Sequence, residues 1–339
     1  MDRLRSRTMV TVGSWTLLGI SSLVLDDWNL AQLAQYMAYG IFAMGLAFIW
    51  GQAGLLSFGQ AIFFGIGGYS VGLVTLGHLP LLGSSTTCGF LLALLLPGCV
   101  SYALGRILFL GKGLSGAYFA IVTLCAAVVV ETLAQQWSFI GGFNGLLGIP
   151  PLGAPWRSAA DGYLTPVEDY LFMLAVAVLV FLGLLGVVRS PIGTVLAAIR
   201  DNDQRTAFFG YDVSRFKVWA FVVSAVVSGL AGGLFVTQFS FVAPSLIGFG
   251  LSTEVLIWVA VGGRNVLMAA FLGALLVRSV EGALSDRLGN FWLLVLGVLF
   301  VVTVVLMPNG LFGRILALPP PRRFRDAGTA ISLKHGAKV

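Results

Sequence analysis

Residues 28–105 read WNLAQLAQYMAYGIFAMGLAFIWGQAGLLSFGQAIFFGIGGYSVGLVTLGHLPLLGSSTTCGFLLALLLPGCVSYALG. From Trp28 to Gly105 there is no Lys, Arg, Asp or Glu. One helix crosses the hydrocarbon core of a bilayer with about 20 apolar residues, so this stretch is long enough for three or four crossings. In lipid every backbone N–H and C=O needs an internal partner, which leaves helices or a closed barrel. The runs are continuously apolar and do not alternate, which selects helices. The rest of the chain agrees. Of 339 residues, 58% are hydrophobic and 10% charged, against about 25% charge in soluble domains. The fold class expected is an all-α polytopic membrane protein.

Working outward, apolar runs mark about ten spans: 9–25, 30–50, 55–76, 87–105, 116–136 and 170–188, then 218–238, 247–261, 266–281 and 291–307. Basic residues stay in the cytoplasm. Arg3, Arg5 and Arg7 therefore place residues 1–8 inside, Asp26 and Asp27 fall outside, and Arg106 and Lys112 fall inside. The loop 138–169, with Asp161, Glu168, Asp169 and Arg157, suits the periplasm. The loop 189–217, with Arg189, Arg200, Arg205, Arg215 and Lys217, suits the cytoplasm, as does the basic tail 314–339. Treating 247–281 as one crossing would put that tail outside. A split at Gly262-Gly263-Arg264 restores the pattern with two short, tilted segments. The transmembrane domain is thus expected over 9–313. The first run lacks a small-residue cleavage site followed by a polar exit, and is read as an anchor rather than a signal peptide.

The net charge of +6 sits between apolar runs, as orientation signals do, and does not suggest nucleic acid. Cys88, Cys99 and Cys125 lie inside apolar runs without metal-ligand spacing. The phosphate-loop pattern of Gly and Lys-Ser/Thr is missing, since Gly111-Lys112 is followed by Gly113. The two histidines, His78 and His335, form no metal pattern, and a nucleophile–base set is not found. The chain is therefore expected not to be an enzyme, and to hold no cofactor or metal.

Glycine carries the next signal, with 44 in the chain. Gly68 with Gly72, and Gly229 with Gly233, have the spacing that lets helices approach closely. Gly54, Gly262 and Gly263 punctuate apolar runs and suggest hinges. Around Gly54, polar Gln52, Ser57 and Gln60 favour a broken helix lining a substrate path, because unwound backbone at membrane depth needs a cavity or a protein cover. Tight helix packing is the other reading of the same glycines. Glu131 and Glu254 also lie in apolar runs, where a central charge costs about 2.5–3.5 kcal/mol. Each reads either as a carboxylate near a span end, favoured in a helix's first turn, or as a pathway group. Residues 194–205 form a short amphipathic helix inside the 189–217 loop. That loop is either a plain connector or a docking surface that passes a rigid-body push to the spans beside it. Gly141-Gly142-Phe143-Asn144-Gly145 and Pro150-Pro151 mark a turn-rich outer cap or gate.

These motifs resemble the LivM-type permeases of ATP-binding cassette (ABC) importers for branched-chain amino acids and related solutes. The resemblance rests on Gly51-Gln52-Ala53-Gly54-Leu55-Leu56-Ser57-Phe58-Gly59-Gln60-Ala61 and Ala117-Tyr118-Phe119-Ala120-Ile121-Val122-Thr123-Leu124. It continues through Gly141-Gly142-Phe143-Asn144-Gly145-Leu146, Ser190-Pro191-Ile192-Gly193 and Ala197-Ala198-Ile199-Arg200-Asp201-Asn202, and covers residues 30 to 313. The segment from Glu254 through Trp258 to Arg264, with Phe291-Trp292-Leu293-Leu294, leans to the urea-transport branch. Asn265-Val266-Leu267 and Gln60 depart from the usual pattern there.

The resemblance implies a second related permease subunit, two cytoplasmic ATPase subunits that carry ATP and Mg, and a periplasmic solute-binding protein, in the bacterial inner membrane. Residues 194–205 match the coupling helix, with Thr194, Ala197, Ala198, Arg200, Asp201 and Arg205 toward the ATPase. The implied mechanism is alternating access, in which the membrane chain supplies shape rather than bond chemistry. A urea path needs neutral hydrogen-bonding groups, for which Gln52, Ser57, Gln60, Tyr118 and Asn144 are candidates, with Glu254 beside them. Branched-chain amino acids are the alternative cargo. A self-sufficient secondary transporter or channel, and a non-transporting scaffold, are readings of other classes.

Overall fold

The structure, a computed structural model, describes residues 2–79, 85–110, 116–153 and 162–288, together with 291, 294–295, 297–298, 301 and 310–313. The elements are α1 (Asp2–Val24), α2 (Asp27–Ala53), α3 (Gln60–Thr75), α4 (Thr86–Phe109), α5 (Gly116–Gln136), α6 (Pro166–Arg189), α7 (Pro191–Asp201), α8 (Asp203–Phe208), α9 (Val213–Phe239), α10 (Phe249–Gly262) and α11 (Leu267–Leu288). Two short strands, β1 (Leu146–Leu147) and β2 (Phe241–Val242), pair antiparallel with Leu146 opposite Val242. Most of the expected span 291–307 and all of 314–339 lie outside the described residues, as do Lys112, Arg157 and Asp161.

Among the described residues five helices, α2, α4, α5, α6 and α9, are long and apolar enough to cross a membrane, and the bent pair α10–α11 makes up to six. Their burial divides them. The apolar window of α2 is 83% buried and that of α9 is 78%, whereas α4, α5 and α6 are each 28% buried. An apolar helix buried all round must be the centre of a bundle, and one buried along a stripe must be its wall. The wall faces carry Leu91, Leu95 and Ile107 on α4, Ile121, Val129 and Leu133 on α5, and Leu171, Leu179 and Leu182 on α6. So large an exposed apolar surface belongs against lipid or another subunit.

Lipid is as apolar as leucine, so burial of apolar area does little to hold such helices together, and close van der Waals contact must do so. The centre shows how. A Cβ on Gly232 of α9 would overlap the Phe64 carbonyl of α3, and one on Gly67 would overlap the Gly229 backbone. A Cβ on Gly229 would also overlap Pro97 of α4, and one on Gly233 would lie 3.1 Å from Val71 Cγ2. A Cβ on Gly68 would lie 2.9 Å from Val236 Cγ1, and one on Gly72 would lie 2.9 Å from Ile149 Cδ1. The packing reading of Gly68, Gly72, Gly229 and Gly233 therefore has direct contacts behind it.

Two sequence expectations change in detail. The span expected over 55–76 is helical only from Gln60, because Gly54 takes a left-handed φ of 71° and ends α2. The split expected at Gly262-Gly263-Arg264 falls at Gly263 (φ 130°), and α10 and α11 differ in direction by 115°. A Cβ on Gly262 would overlap the Ala269 carbonyl, so the turn closes against α11. Arg264 lies at this turn, with its guanidinium carbon 5.2 Å from the Trp50 ring centroid. Leu311 N–H donates to the Val261 carbonyl (2.7 Å) and Phe312 N–H to that of Gly262 (3.0 Å), so the chain after α11 returns to the same end of the bundle. Finally, the single amphipathic helix expected over 194–205 is two helices. Asn202 (φ −164°) interrupts it and its side chain accepts from Arg205 N–H at 2.9 Å, because a short amide side chain competes with the helix for backbone donors.

Candidate functional site

The feature that sets this bundle apart from a plain helical one is the stretch between α2 and α3. Residues 54–59 are not helical, yet beyond the exposed Gly54 they run into the bundle: Leu55, Ser57 and Gly59 are buried. Backbone donors at Leu55, Phe58 and Gly59 are met locally and by α5, as non-helical chain inside an apolar bundle requires. Leu55 N–H donates to the Ile49 carbonyl (3.3 Å). Gly59 N–H donates to Ser57 Oγ (3.3 Å), Phe58 N–H to Thr123 Oγ1 of α5 (3.1 Å), and Ala61 N–H to Ser252 Oγ of α10 (3.2 Å). Gly59 is held so close to α5 that a Cβ would lie 2.6 Å from the Thr123 carbonyl oxygen.

Gln60 opens α3 and is fully buried. Its Nε2 donates to Ser224 Oγ (2.7 Å) and Ser228 Oγ (2.8 Å) on α9. Those hydroxyls donate onward, Ser224 to the Gly45 carbonyl (2.7 Å) and Ser228 to that of Ser224 (2.9 Å). Each hydroxyl hydrogen is thus committed to a carbonyl, so each oxygen is free only to accept, and the Gln60 amide must present its NH2 group. Among the described residues the amide oxygen has no partner. Gly45 lies two turns before α2 ends, about 12 Å along the helix, so α3 starts well inside the bundle. The result is an uncharged polar node at depth, beside a broken crossing.

A second non-helical stretch approaches from the other end. Residues 240–248 carry β2 and a single 3-10 turn, Pro244–Leu246, before α10 begins. A Cβ on Gly65 of α3 would overlap Ile247, and one on Gly248 would overlap the Glu131 carboxylate of α5. Glu131 therefore stands at the N-terminus of α10, where negative charge is favoured. β2 pairs with β1, and Gly141 (φ 86°), Gly142 (φ 55°) and Gly145 (φ 71°) fold the preceding loop into two 3-10 turns beneath it. The turn-rich composition of that loop corresponds to these turns.

Charge is handled elsewhere. Arg278 of α11 bonds Glu281 Oε2 at 2.6 Å and lies 3.8 Å from Glu254 Oε2 of α10. Its Nη2 donates to the Tyr39 hydroxyl (3.3 Å), and its guanidinium carbon stands 4.4 Å from the Tyr39 ring centroid and 5.7 Å from that of Trp258. Glu254 was the one member of this triad singled out in the sequence. Arg278 and Glu281 were legible as an i, i+3 pair within an apolar run, and their spacing is the signal for them.

The candidate pathway residues divide. Gln52, Ser57 and Gln60 stand at the break, with Gln52 half-buried in the last turn of α2 and the other two buried. Glu254 is two residues from Ser252, which bonds the break, and is paired with Arg278. Tyr118 and Asn144 are exposed, on α5 and in the turn before β1, and do not join the node. Of the coupling set, Thr194, Ala198, Arg200, Asp201 and Arg205 are exposed and Ala197 is half-buried; Arg200, beside Asp201 (Nε to Oδ1 3.4 Å), also reaches back to α2, its Nη1 donating to the Gly51 carbonyl at 2.6 Å. Among the described residues no group of three or more His, Cys, Asp or Glu is placed to hold a metal.

A bundle of apolar helices, two of them short and flanked by non-helical chain that dips inward, defines a polytopic membrane protein of the transporter class. Comparison with known proteins narrows the class. A family model described as the permease component of the branched-chain amino acid transport system matches residues 30–304, and the chain belongs to that family. It is 33% identical over 296 residues to the high-affinity branched-chain amino acid transport system permease protein LivM of Salmonella typhimurium, covering 81% of this chain and 68% of that one. The LivM protein of Escherichia coli is 32% identical over the same shares. The ribose import permease protein RbsC of Haemophilus influenzae is 24% identical over 58% of this chain and 64% of its own. No solved structure matches.

Proposed function

We propose that this chain is the transmembrane permease subunit of an ABC importer for branched-chain amino acids. The observation that carries the reading is the family match over residues 30–304, which takes in both the broken crossing and the α7–α8 segment. The relatives named above act on branched-chain amino acids or ribose, and the lean toward urea draws no support from them. Leucine, isoleucine and valine are therefore the cargo proposed here in place of urea.

In this reading the chain makes ten crossings of the bacterial inner membrane, with both termini in the cytoplasm. It pairs with a second, related permease, binds two cytoplasmic ATPases through α7 and α8, and receives solute from a periplasmic binding protein at the β1–β2 end. ATP and Mg belong to the ATPases. Nucleotide-driven movement of α7–α8 opens the pathway alternately to either side, and residues 54–60 form part of its wall. The neutral node suits this role, because uncharged buried groups are easier to rearrange than ion pairs when the wall beside them moves.

The test is reconstitution in liposomes with the partner permease, ATPases and binding protein, followed by uptake of labelled leucine and labelled urea. Leucine uptake that needs ATP, and that unlabelled isoleucine or valine competes away, is the result expected. ATP-dependent uptake of urea in its place would restore the other cargo. Solute flux through this chain alone would favour a self-sufficient transporter.

A further inference from the structure

Arg200 lies in the last turn of α7, on the segment that the importer reading gives to the partner ATPase; its side chain is exposed and lies 3.4 Å from Asp201, yet one end of its guanidinium reaches back to α2. Its bond to the Gly51 carbonyl is short, 2.6 Å. Its stem runs over Gly54, where a Cβ would stand 2.8 Å from Arg200 Cγ. Gly51 lies in the final turn of α2, where carbonyls have no partner within their own helix. Leu55 N–H, the donor that would serve it in a continuing helix, is turned to Ile49 instead. A guanidinium supplies the missing donor, and a cation at this end also opposes the helix dipole. On its other side Gly51 is closed by the Arg264 carbonyl, which a Cβ would overlap. One backbone position thus joins α7, the end of α2 and the α10–α11 turn.

The neighbouring helix is fastened separately. Lys217 of α9, 5% exposed, forms an ion pair with Asp203 in the first turn of α8. The α7–α8 segment is therefore tied to α2 at one point and to α9 at another. Its outer side remains open: Thr194, Ala198 and Asp201 are exposed, and Phe208 and Phe209 are 91% and 82% exposed. A partner that presses on this outer side moves Arg200 with it. The left-handed Gly54 then allows residues 54–59 to swing while Gln60 stays bonded to α9.

We infer that Arg200 is a positioning residue, which carries displacement of α7 into residues 51–59, and is not a contact to the ATPase. This rests on the importer reading. The test uses the whole complex, wild type and Arg200→Gln side by side, in nanodiscs and in liposomes. For Arg200→Gln the ATPases remain bound at wild-type stoichiometry, while leucine taken up per ATP hydrolysed falls by about tenfold, as loss of one charge-assisted bond predicts. Binding of a non-hydrolysable ATP analogue changes amide hydrogen exchange at residues 51–59 in the wild type but not in the variant, and changes it at residues 191–208 in both. Arg200→Lys, which keeps the charge and loses the fork, recovers part of each signal, and it is read alone if the Arg200→Gln permease itself does not fold. Loss of the ATPases from the variant, or a wild-type exchange response at 51–59 in either variant, overturns the inference. Because the wild-type complex is measured for ATP-driven uptake in the same series, an unaffected variant beside an active wild type removes the role of Arg200 and leaves the importer reading standing.

Discussion

Two polar clusters lie within this bundle, one fully buried around Gln60 and one half-buried around Arg278, and they are built differently. Around Gln60 the groups are neutral, the acceptors are hydroxyls and carbonyls, and the chain beside them is unwound. Around Arg278 the groups are charged, and they sit on continuous helices, α2, α10 and α11. A buried ion pair recovers its desolvation cost only with good geometry and further hydrogen bonds, and it is unforgiving when one partner is removed. A neutral network is cheaper to disturb and easier to rearrange. The Arg278 triad is suited to fixing α10 against α11, and the Gln60 node to a place where the chain must move.

The comparison predicts its own breaking points. Arg278→Met leaves two carboxylates facing each other without a cation, and should cost about 3–5 kcal/mol, seen as a large fall in the melting temperature of the detergent-solubilised protein and in its yield. Replacing all three, Arg278→Met with Glu254→Gln and Glu281→Gln, should recover most of that loss, since no unpaired charge remains. A triple variant as unstable as the single one would show that the triad does more than neutralise itself. Gln60→Leu removes the donor from both serines and puts apolar bulk at the node. The expected stability loss is smaller, about 1–3 kcal/mol, with uptake in the reconstituted importer reduced more than the melting temperature suggests. Equal and large losses in both would make the node structural, like the triad.

Much of this layout was legible in residue types. The uncharged run from Trp28 to Gly105 dictated helices in lipid, Gly54 marked the break, and Gly262-Gly263 marked the turn, because glycine takes the positive φ of Gly54 and Gly263 without steric cost and lets Gly262 approach the Ala269 carbonyl. Gln60 was picked out by being polar beside that break. Its partners Ser224 and Ser228 were not, since a serine within a helix reads equally well as one that bonds its own backbone. Ser228 does so, to Ser224, while Ser224 reaches across to Gly45. The reach of Arg200 back to α2 was also hidden. Arg200, Asp201 and Asn202 are all exposed, and nothing in the order of residues says that the α2 terminus, 149 positions away in sequence, lacks a donor. Contacts between distant segments that meet through a single bond leave no periodic trace.

The smallest effect separates the two serines of the node. Ser224 links three helices, since it accepts from Gln60 of α3, belongs to α9 and donates to Gly45 of α2. Ser228 accepts from the same amide but donates within α9. Ser224→Ala should therefore cost about 1 kcal/mol and loosen α2 against α9, read as faster amide exchange around Gly45. Ser228→Ala should cost less, because the carbonyl it leaves belongs to its own helix and keeps its backbone partner. If Ser228→Ala proved the more damaging, the node would be anchored through α9 alone, and the bond from Ser224 to α2 would have no part in holding the start of α3 at its depth.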